Sequence, residues 1–441
     1  MKIFDLQDIL KIKKIHNLDY DEVINYFRIV KYNDDKDASG NVIYFPITIT
    51  KKDVESGWYI QELDYKKRIN EIALKNPHYI YVIEEDMIEN INDKIKYIVV
   101  DNIMESIDRL FEYKLSKYNG KIITITGSVG KTTTAGFIEQ VLGEKCGRIY
   151  SKRITPLILK TYMINYLSND LEYIVLEASL WYKEHMSYFS EVLKPDLAIL
   201  MNVYFEHIGV KDIKDISDIT KFKSLLLEHA KNAMINKTDK ELVKININNH
   251  KVYYENQEIC NTEVNHIIDV QKINDKIEPY IKTELSLLQE TIAYEVGKFY
   301  GINDEIIYDR LSKVKPVENR IQKYKLYNHD IIFDGDVSGV SRLNNLCNNF
   351  YDKCYFVICS LTEGGEETEN YEKISVNFDK FSKVYVQEKY KKYYNNDKNV
   401  VYFKNLDFIE ELEFDYIIIM HYGSYYRLFD KFQIENLEVK S

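Results

Sequence analysis

The chain has 441 residues, 45% hydrophobic and 29% charged, with a formal net charge of −11. That length and balance suit a soluble protein of roughly two to four domains with sizeable cores. The acidic balance excludes a general affinity for nucleic acid, which needs a basic footprint. The five cysteines, odd in number and without C-x-x-C spacing, exclude a metal knuckle or disulfide framework and point to reduced thiols.

The first twenty residues mix acids such as Asp5 and Asp8 into apolar positions and carry no small-residue cleavage site. No secretory signal is therefore expected, and no apolar run approaches the ~18 residues of a membrane span. A cytoplasmic location follows as the expectation. The 38 tyrosines have no basic stripe beside them, so they are not read as a stacking surface for nucleic acid.

Residues 1–119 hold short mixed elements, among them "NVIYFPIT" and "PHYIYVIEE", and end in the amphipathic helix "IMESIDRLFEYKLSKY". From 120 to 317 the apolar runs "KIITIT", "LEYIVLEAS", "DLAILMNV" and "NAMIN" alternate with helical stretches, the pattern of a parallel sheet covered on both faces. Two helices, "ELSLLQETIAYEVGKFYG" and "DEIIYDRLSKV", close that region. After the proline of "KPVENR", residues 318–441 carry a second α/β set: "DIIFD", "YFVICS", "KVYVQ", "NVVYF" and "FDYIIIM". The expected fold class is α/β with three domains. A central parallel-sheet P-loop ATPase domain is flanked by a small N-terminal α/β domain and a C-terminal Rossmann-like domain.

The chemistry concentrates in "ITITGSVGKTTT", Ile123 to Thr134. A turn after a strand lets backbone N–H groups and the next helix's N-terminus face an anion. Gly127 and Gly130 allow the tight backbone, and Ser128, Thr132 and Thr133 line it. Lys131 adds a mobile charge, and the Thr132 hydroxyl can ligate Mg²⁺. The general pattern has a further glycine six residues before the lysine, where this chain has Ile125. Signal-recognition-type GTPases keep that glycine. Partitioning ATPases carry a second lysine where Thr126 stands, and folate-polyglutamating ligases favour Gly-Ser after the lysine.

The shortened loop resembles that of the Mur ligase family, and the resemblance extends over roughly residues 44 to 432. "LEAS" places Glu177 where the family has a magnesium-holding glutamate. "PDLAILMNVYFEHIG" sets Asn202 and His207 five apart, as in a family motif whose histidine serves the metal site. "DITKFKSLLL" carries Lys221 and Lys223, similar to the K-x-K of the D-alanyl-D-alanine-adding branch, whose second lysine is carbamylated. "MINKTD" brings in Asn236 and Asp239. "KPVENR" makes Arg320 a candidate phosphate contact, and "IIFDGD" offers Asp334 near the ribose or Mg²⁺. "VICSLTEGGEE" and "FDYIIIMHYGS" are similar to two late motifs of the same branch.

The departures are specific. Ser286 and Gln289 stand where an H-N-x-x-N helix start approaches adenine. "GDVSGVSR" replaces the stretch after the hinge aspartate, and His421-Tyr422 replaces the lysine side of K-G-S. The N-terminal region lacks a Ser/Thr-Asp-Thr-Arg uridine pocket. The resemblance implies a monomeric ligase that joins a small-molecule carboxylate to an amino acid or dipeptide through an acyl phosphate, with ATP and two Mg²⁺ and a carbamylated Lys223. Peptidoglycan precursor synthesis, a specialised polyamide or metabolite pathway, and a catalytically inactive nucleotide-binding scaffold are the three readings left open.

Overall fold

Apolar residues at positions 103, 107, 110 and 111 put one face of a helix against a core, and Ile103, Ile107, Leu110 and Phe111 are all buried. Asn102 starts that helix by accepting from the Glu105 amide at 2.9 Å. The computed structural model describes residues 1–29, 40–149, 154–168, 170–204, 212–248, 251–254, 257–261, 263–267, 284–314, 322–326, 329–334, 354–358, 383–393, 400–405, 407–413, 416–420 and 435–436.

The N-terminal elements are α1 (Ile3–Leu10), β1 (Lys14–His16), β2 (Tyr26–Arg28), β3 (Val42–Tyr44), β4 (Thr48–Ile49), α2 (Lys51–Glu55), β5 (Leu63–Asp64), α3 (Ile69–Lys75), β6 (Ile80–Glu84), β7 (Lys96–Val100) and α4 (Ile103–Lys117). Five of the strands form a sheet in the order β1-β7-β6-β3-β2, and β4 pairs with β5 alone.

The middle of the chain runs β8 (Lys121–Thr126), α5 (Lys131–Leu142), β9 (Cys146–Ile149), α6 (Pro156–Tyr166), β10 (Tyr173–Glu177), α7 (Lys183–Leu193), β11 (Leu197–Leu200), α8 (Ile216–Ser224) and β12 (Asn232–Ile235). It continues through β13 (Ile245–Asn248), β14 (Lys251–Tyr254), β15 (Gln257–Asn261), β16 (Glu263–Ile267), α9 (Glu284–Phe299) and α10 (Asp304–Ser312). Six strands line up as β16-β12-β11-β8-β10-β9, while β13, β14 and β15 form a separate antiparallel sheet. β8, β11, β12 and β16 are parallel neighbours. Their runs Ile123–Ile125, Leu197–Leu200 and Ala233–Ile235 are buried throughout, as strands covered on both faces must be.

The last set is β17 (Gln322–Leu326), β18 (His329–Asp334), β19 (Cys354–Ile358), β20 (Val384–Gln387), β21 (Val400–Phe403), β22 (Tyr416–Met420) and β23 (Glu435–Asn436). Its order is β21-β20-β19-β22-β18-β17-β23, parallel from β21 to β18 and antiparallel at the β17 and β23 edge. Every strand expected from an apolar run in the C-terminal third is present.

Contacts divide the chain into two compact units: 1–122, 145–174 and 178–194 form one, and 123–144, 175–177 and 195–441 form the other. In the first unit α6 is tied to the N-terminal elements by part-buried polar contacts. Lys160, 6% exposed, pairs with Asp108 of α4 at 2.6 Å, and its ammonium sits 4.6 Å from the Trp58 ring. Asn165 exchanges hydrogen bonds with the Phe27 backbone at 2.9 and 2.8 Å. Among the described residues no helix is long and apolar enough to cross a membrane.

Candidate active site

In the second unit β8 lies between β11 and β10, while the chain runs from β8 to β9 before returning. Ligands of open α/β sheets settle outside the carboxyl ends of strands at such a reversal. The register brings the ends level: Thr126 faces Leu200, and Leu200 faces Ile235. One residue further on stand Gly127, Met201 and Asn236.

The loop from Gly127 to Gly130 turns directly into α5. Ile125, where a longer loop would have its first glycine, is a fully buried strand residue opposite Ile199. The strand simply runs two residues further before turning. Gly130 caps α5 with φ +88°, a conformation side chains avoid. A Cβ on Gly127 would lie 2.3 Å from Met201 Cγ, so a side chain there would require Met201 to move.

Lys131 Nζ donates to the Gly127 carbonyl at 2.8 Å and the Ser128 carbonyl at 3.2 Å. Lys223 Nζ, 2% exposed at the end of α8, donates to the same Gly127 carbonyl at 3.0 Å. Two ammonium groups thus converge on one oxygen. Lys221, the other lysine of the pair, is exposed. Thr132 Oγ1 donates to Glu177 Oε2 at 2.7 Å, and both residues are 5% exposed. Thr133 is half-buried on the same turn of α5.

Ser128 is held from β11. Its amide donates to Asn202 Oδ1 at 2.8 Å, and Tyr204's amide donates to its Oγ at 2.9 Å. Gln289, 4% exposed on α9, donates weakly to the Gly130 carbonyl at 3.4 Å, and Ser286 lies buried one turn before it. Asn236 is at the strand ends too, but its side chain is committed locally. Its amide donates to the Met201 carbonyl at 2.8 Å, and its Oδ1 accepts from the Thr238 amide and hydroxyl. Asp239 caps the following turn by accepting from Glu241 and Leu242.

The structure therefore gathers Gly127, Ser128, Gly130, Lys131, Thr132, Thr133, Glu177, Lys223 and Gln289 around one loop. His207, Arg320 and the His421-Tyr422-Gly423-Ser424 stretch lie outside the described residues. Asp334 ends β18 in register with Met420 of β22, and its side chain is outside the described set. Asn202 was seen in the sequence only as a spacing mark for His207; its grip on the loop is a tertiary fact.

A buried hydroxyl and carboxylate beside two ammonium groups form a polar site of both signs. Oxygen donors of this kind suit Mg²⁺, which takes one or two protein oxygens and completes its shell with water and phosphate. Among the described residues no group of three His, Cys, Asp or Glu side chains is placed to hold a metal ion alone. The Thr132–Glu177 pair fits an ion that shares its ligands with a phosphate.

Comparison with known proteins agrees with the geometry. Residues 125–286 match the Mur ligase middle domain. Over that span the chain is similar to the Mur ligase family, and MurF ligases stand among its relatives and among the solved structures that share its fold. It is 23% identical over 334 residues to the UDP-N-acetylmuramoyl-tripeptide–D-alanyl-D-alanine ligase of Borreliella burgdorferi, covering 67% of this chain and 69% of that one. For seven other curated relatives the shared span is between 25% and 52% of their length. MurF from Acinetobacter baumannii has the same fold, with a TM-score of 0.69 and 13% identity over 98% of this chain and 97% of its own. A MurF ligase from Thermotoga maritima in complex with ADP gives a TM-score of 0.67 and 17% identity over 91% and 95% of the two chains.

Proposed function

We propose that this chain is an ATP-dependent ligase that joins a carboxylate to an amine, acting in peptidoglycan precursor synthesis. The observation that carries the reading is the buried Thr132–Glu177 pair on the first turn of α5, beside the two lysines that meet at Gly127. The name of the Borreliella burgdorferi relative suggests a UDP-N-acetylmuramoyl tripeptide as acceptor and D-alanyl-D-alanine as amine. The three-domain division at 120 and 318 belongs to the same proposal, supported by the separate sheets that precede and follow the six-stranded one in the chain. So do a cytoplasmic location and a monomeric state.

A free carboxylate is a poor acyl donor at neutral pH. In this reading its oxygen attacks the γ-phosphorus of ATP, the bond to ADP breaks, and an acyl phosphate forms. The amine nitrogen then attacks the acyl carbon, phosphate departs and an amide remains. Phosphoryl transfer depends on positioning and charge stabilisation. Lys131 would swing from the loop carbonyls onto the β- and γ-phosphates. Thr132 and Glu177 would hold one Mg²⁺, which supplies charge neutralisation at the phosphates. His207 and Lys223 are assigned to the acceptor side, with Arg320 and Asp334 on the nucleotide side.

Lys223, rather than the exposed Lys221, is the lysine we assign to carbamylation. It is buried and shares an oxygen with Lys131, so a carbamate there would replace like-charge repulsion by attraction. The missing uridine pocket favours one second reading, a Mur-like ligase with a different acceptor. Phosphate release from ATP, measured with UDP-muramoyl tripeptide and D-alanyl-D-alanine and then with other carboxylates and amino acids, tests both. Release that needs an acceptor and an amine together is expected. Nucleotide binding with no turnover on any pair would leave a scaffold and overturn the ligase reading.

A further inference from the structure

The Asn202 side chain makes three hydrogen bonds to the phosphate loop. Its Oδ1 accepts from the Ser128 amide at 2.8 Å and the Val129 amide at 3.0 Å, and its Nδ2 donates to the Val129 carbonyl at 2.9 Å. Its own carbonyl accepts the Ser128 amide as well, at 3.1 Å. Asn202 is 1% exposed, and a Cβ on Gly127 would meet its Oδ1 at 3.1 Å.

We infer that Asn202 is a positioning residue that holds this shortened loop in its phosphate-receiving shape before a nucleotide arrives. The inference rests on reading Gly127–Thr134 as a phosphate loop. An amide that faces a side-chain oxygen cannot face a phosphate. By engaging the Ser128 and Val129 amides, Asn202 turns the first half of the loop toward β11. Anion binding is left to the second half: Gly130, Lys131, Thr132 and the N-terminus of α5. The side chain also fixes the distance between the loop and the end of β11, the segment that continues toward His207. A carboxamide of this reach accepts both amides through its oxygen and donates to the carbonyl through its nitrogen. Asn202→Asp keeps the acceptors and loses the donor. Asn202→Ala loses all three bonds and frees the loop to sample shapes that cannot bind, which lowers apparent affinity in proportion.

The test measures binding of AMP, ADP and AMPPNP, each with Mg²⁺, to the wild type and both variants, with amide hydrogen exchange read over residues 127–132. Asn202→Ala should lose on the order of tenfold in affinity for ADP and AMPPNP, with AMP little changed. Exchange at Ser128 and Val129 should rise in that variant by more than its fall in thermal midpoint accounts for. Asn202→Asp should keep the two amides protected. Wild-type affinity for ADP and AMPPNP in Asn202→Ala overturns the inference. So does an equal loss for all three nucleotides with a fallen midpoint, which marks a structural role alone. If Asn202→Ala does not fold, unprotected amides in Asn202→Asp overturn it. A wild type that binds none of the three overturns the phosphate-loop reading itself.

Discussion

Thr132 Oγ1 and Glu177 Oε2 lie 2.7 Å apart, joining the first turn of α5 to the end of β10 across 45 residues of sequence. Neither residue is informative alone. Together, buried beside the Gly127–Gly130 turn, they are the two oxygens that the proposed function assigns to Mg²⁺, with phosphate supplying its other ligands.

Glu177→Gln keeps the size and one acceptor oxygen but removes the charge. Turnover should fall by on the order of 10- to 100-fold, and more Mg²⁺ should be needed to reach half of the remaining rate. Phosphate release titrated against Mg²⁺ measures this. An unaltered titration would remove Glu177 from the metal seat.

Lys131 is half-buried, and among the described residues its ammonium bonds to the loop carbonyls of Gly127 and Ser128. Lys131→Ala should therefore leave stability within about 0.5 kcal/mol. Amide formation should drop by at least ~100-fold, as when a transition-state donor is lost. Lys131→Arg should not restore it, because a planar fork does not replace a point charge at this turn. Thermal melts alongside single-turnover phosphate release separate the two effects.

Lys223→Ala should abolish turnover, and short-chain carboxylic acids added to the assay should restore part of it by standing in for the carbamate. Lys221→Ala, at an exposed position, should change little. Wild-type rates in Lys223→Ala would mean that no carbamate forms there.

Glu290, on α9, is 3% exposed, and its Oε2 has no hydrogen-bond partner among the described residues. Burial pushes its carboxyl up to about 7. The folded state therefore holds this proton where the unfolded chain has released it. Stability from this group is fully present below the ordinary carboxyl range and is lost as pH rises toward 7. At pH 8 the cost is roughly 3 kcal/mol. Glu290→Gln should raise the melting midpoint at pH 8 and leave it nearly unchanged at pH 4. Equal effects at both pH values would show that the carboxyl is not buried in this way.

Much of the fold was legible in local pattern. "KIITIT", "LAIL" and "FDYIIIM" are apolar without alternation, as strands buried on both faces require, and they became β8, β11 and β22. The β13–β15 sheet was not foreseen. Its strands are short and rich in Asn and other polar residues, and they carry no apolar run of the kind used to find the others. The weight of α6 was also missed. Besides its buried apolar residues, α6 is tied to α4 and β2 by the part-buried Lys160–Asp108 pair and by Asn165, polar contacts with no periodic signature.

By itself the sequence determined that a strand would turn tightly into a helix with Lys131 and Thr132 at its first positions. Glycine, lysine and threonine at that spacing act through backbone geometry within a dozen residues. Only the tertiary structure decided which distant groups share the loop. Parallel pairing of β8 with β11 brings Asn202 level with Ser128, and the ends of β10 and α8 bring Glu177 and Lys223 to Thr132 and Gly127. Those meetings depend on strand order and register, which the packing of the whole sheet sets and no local spacing encodes.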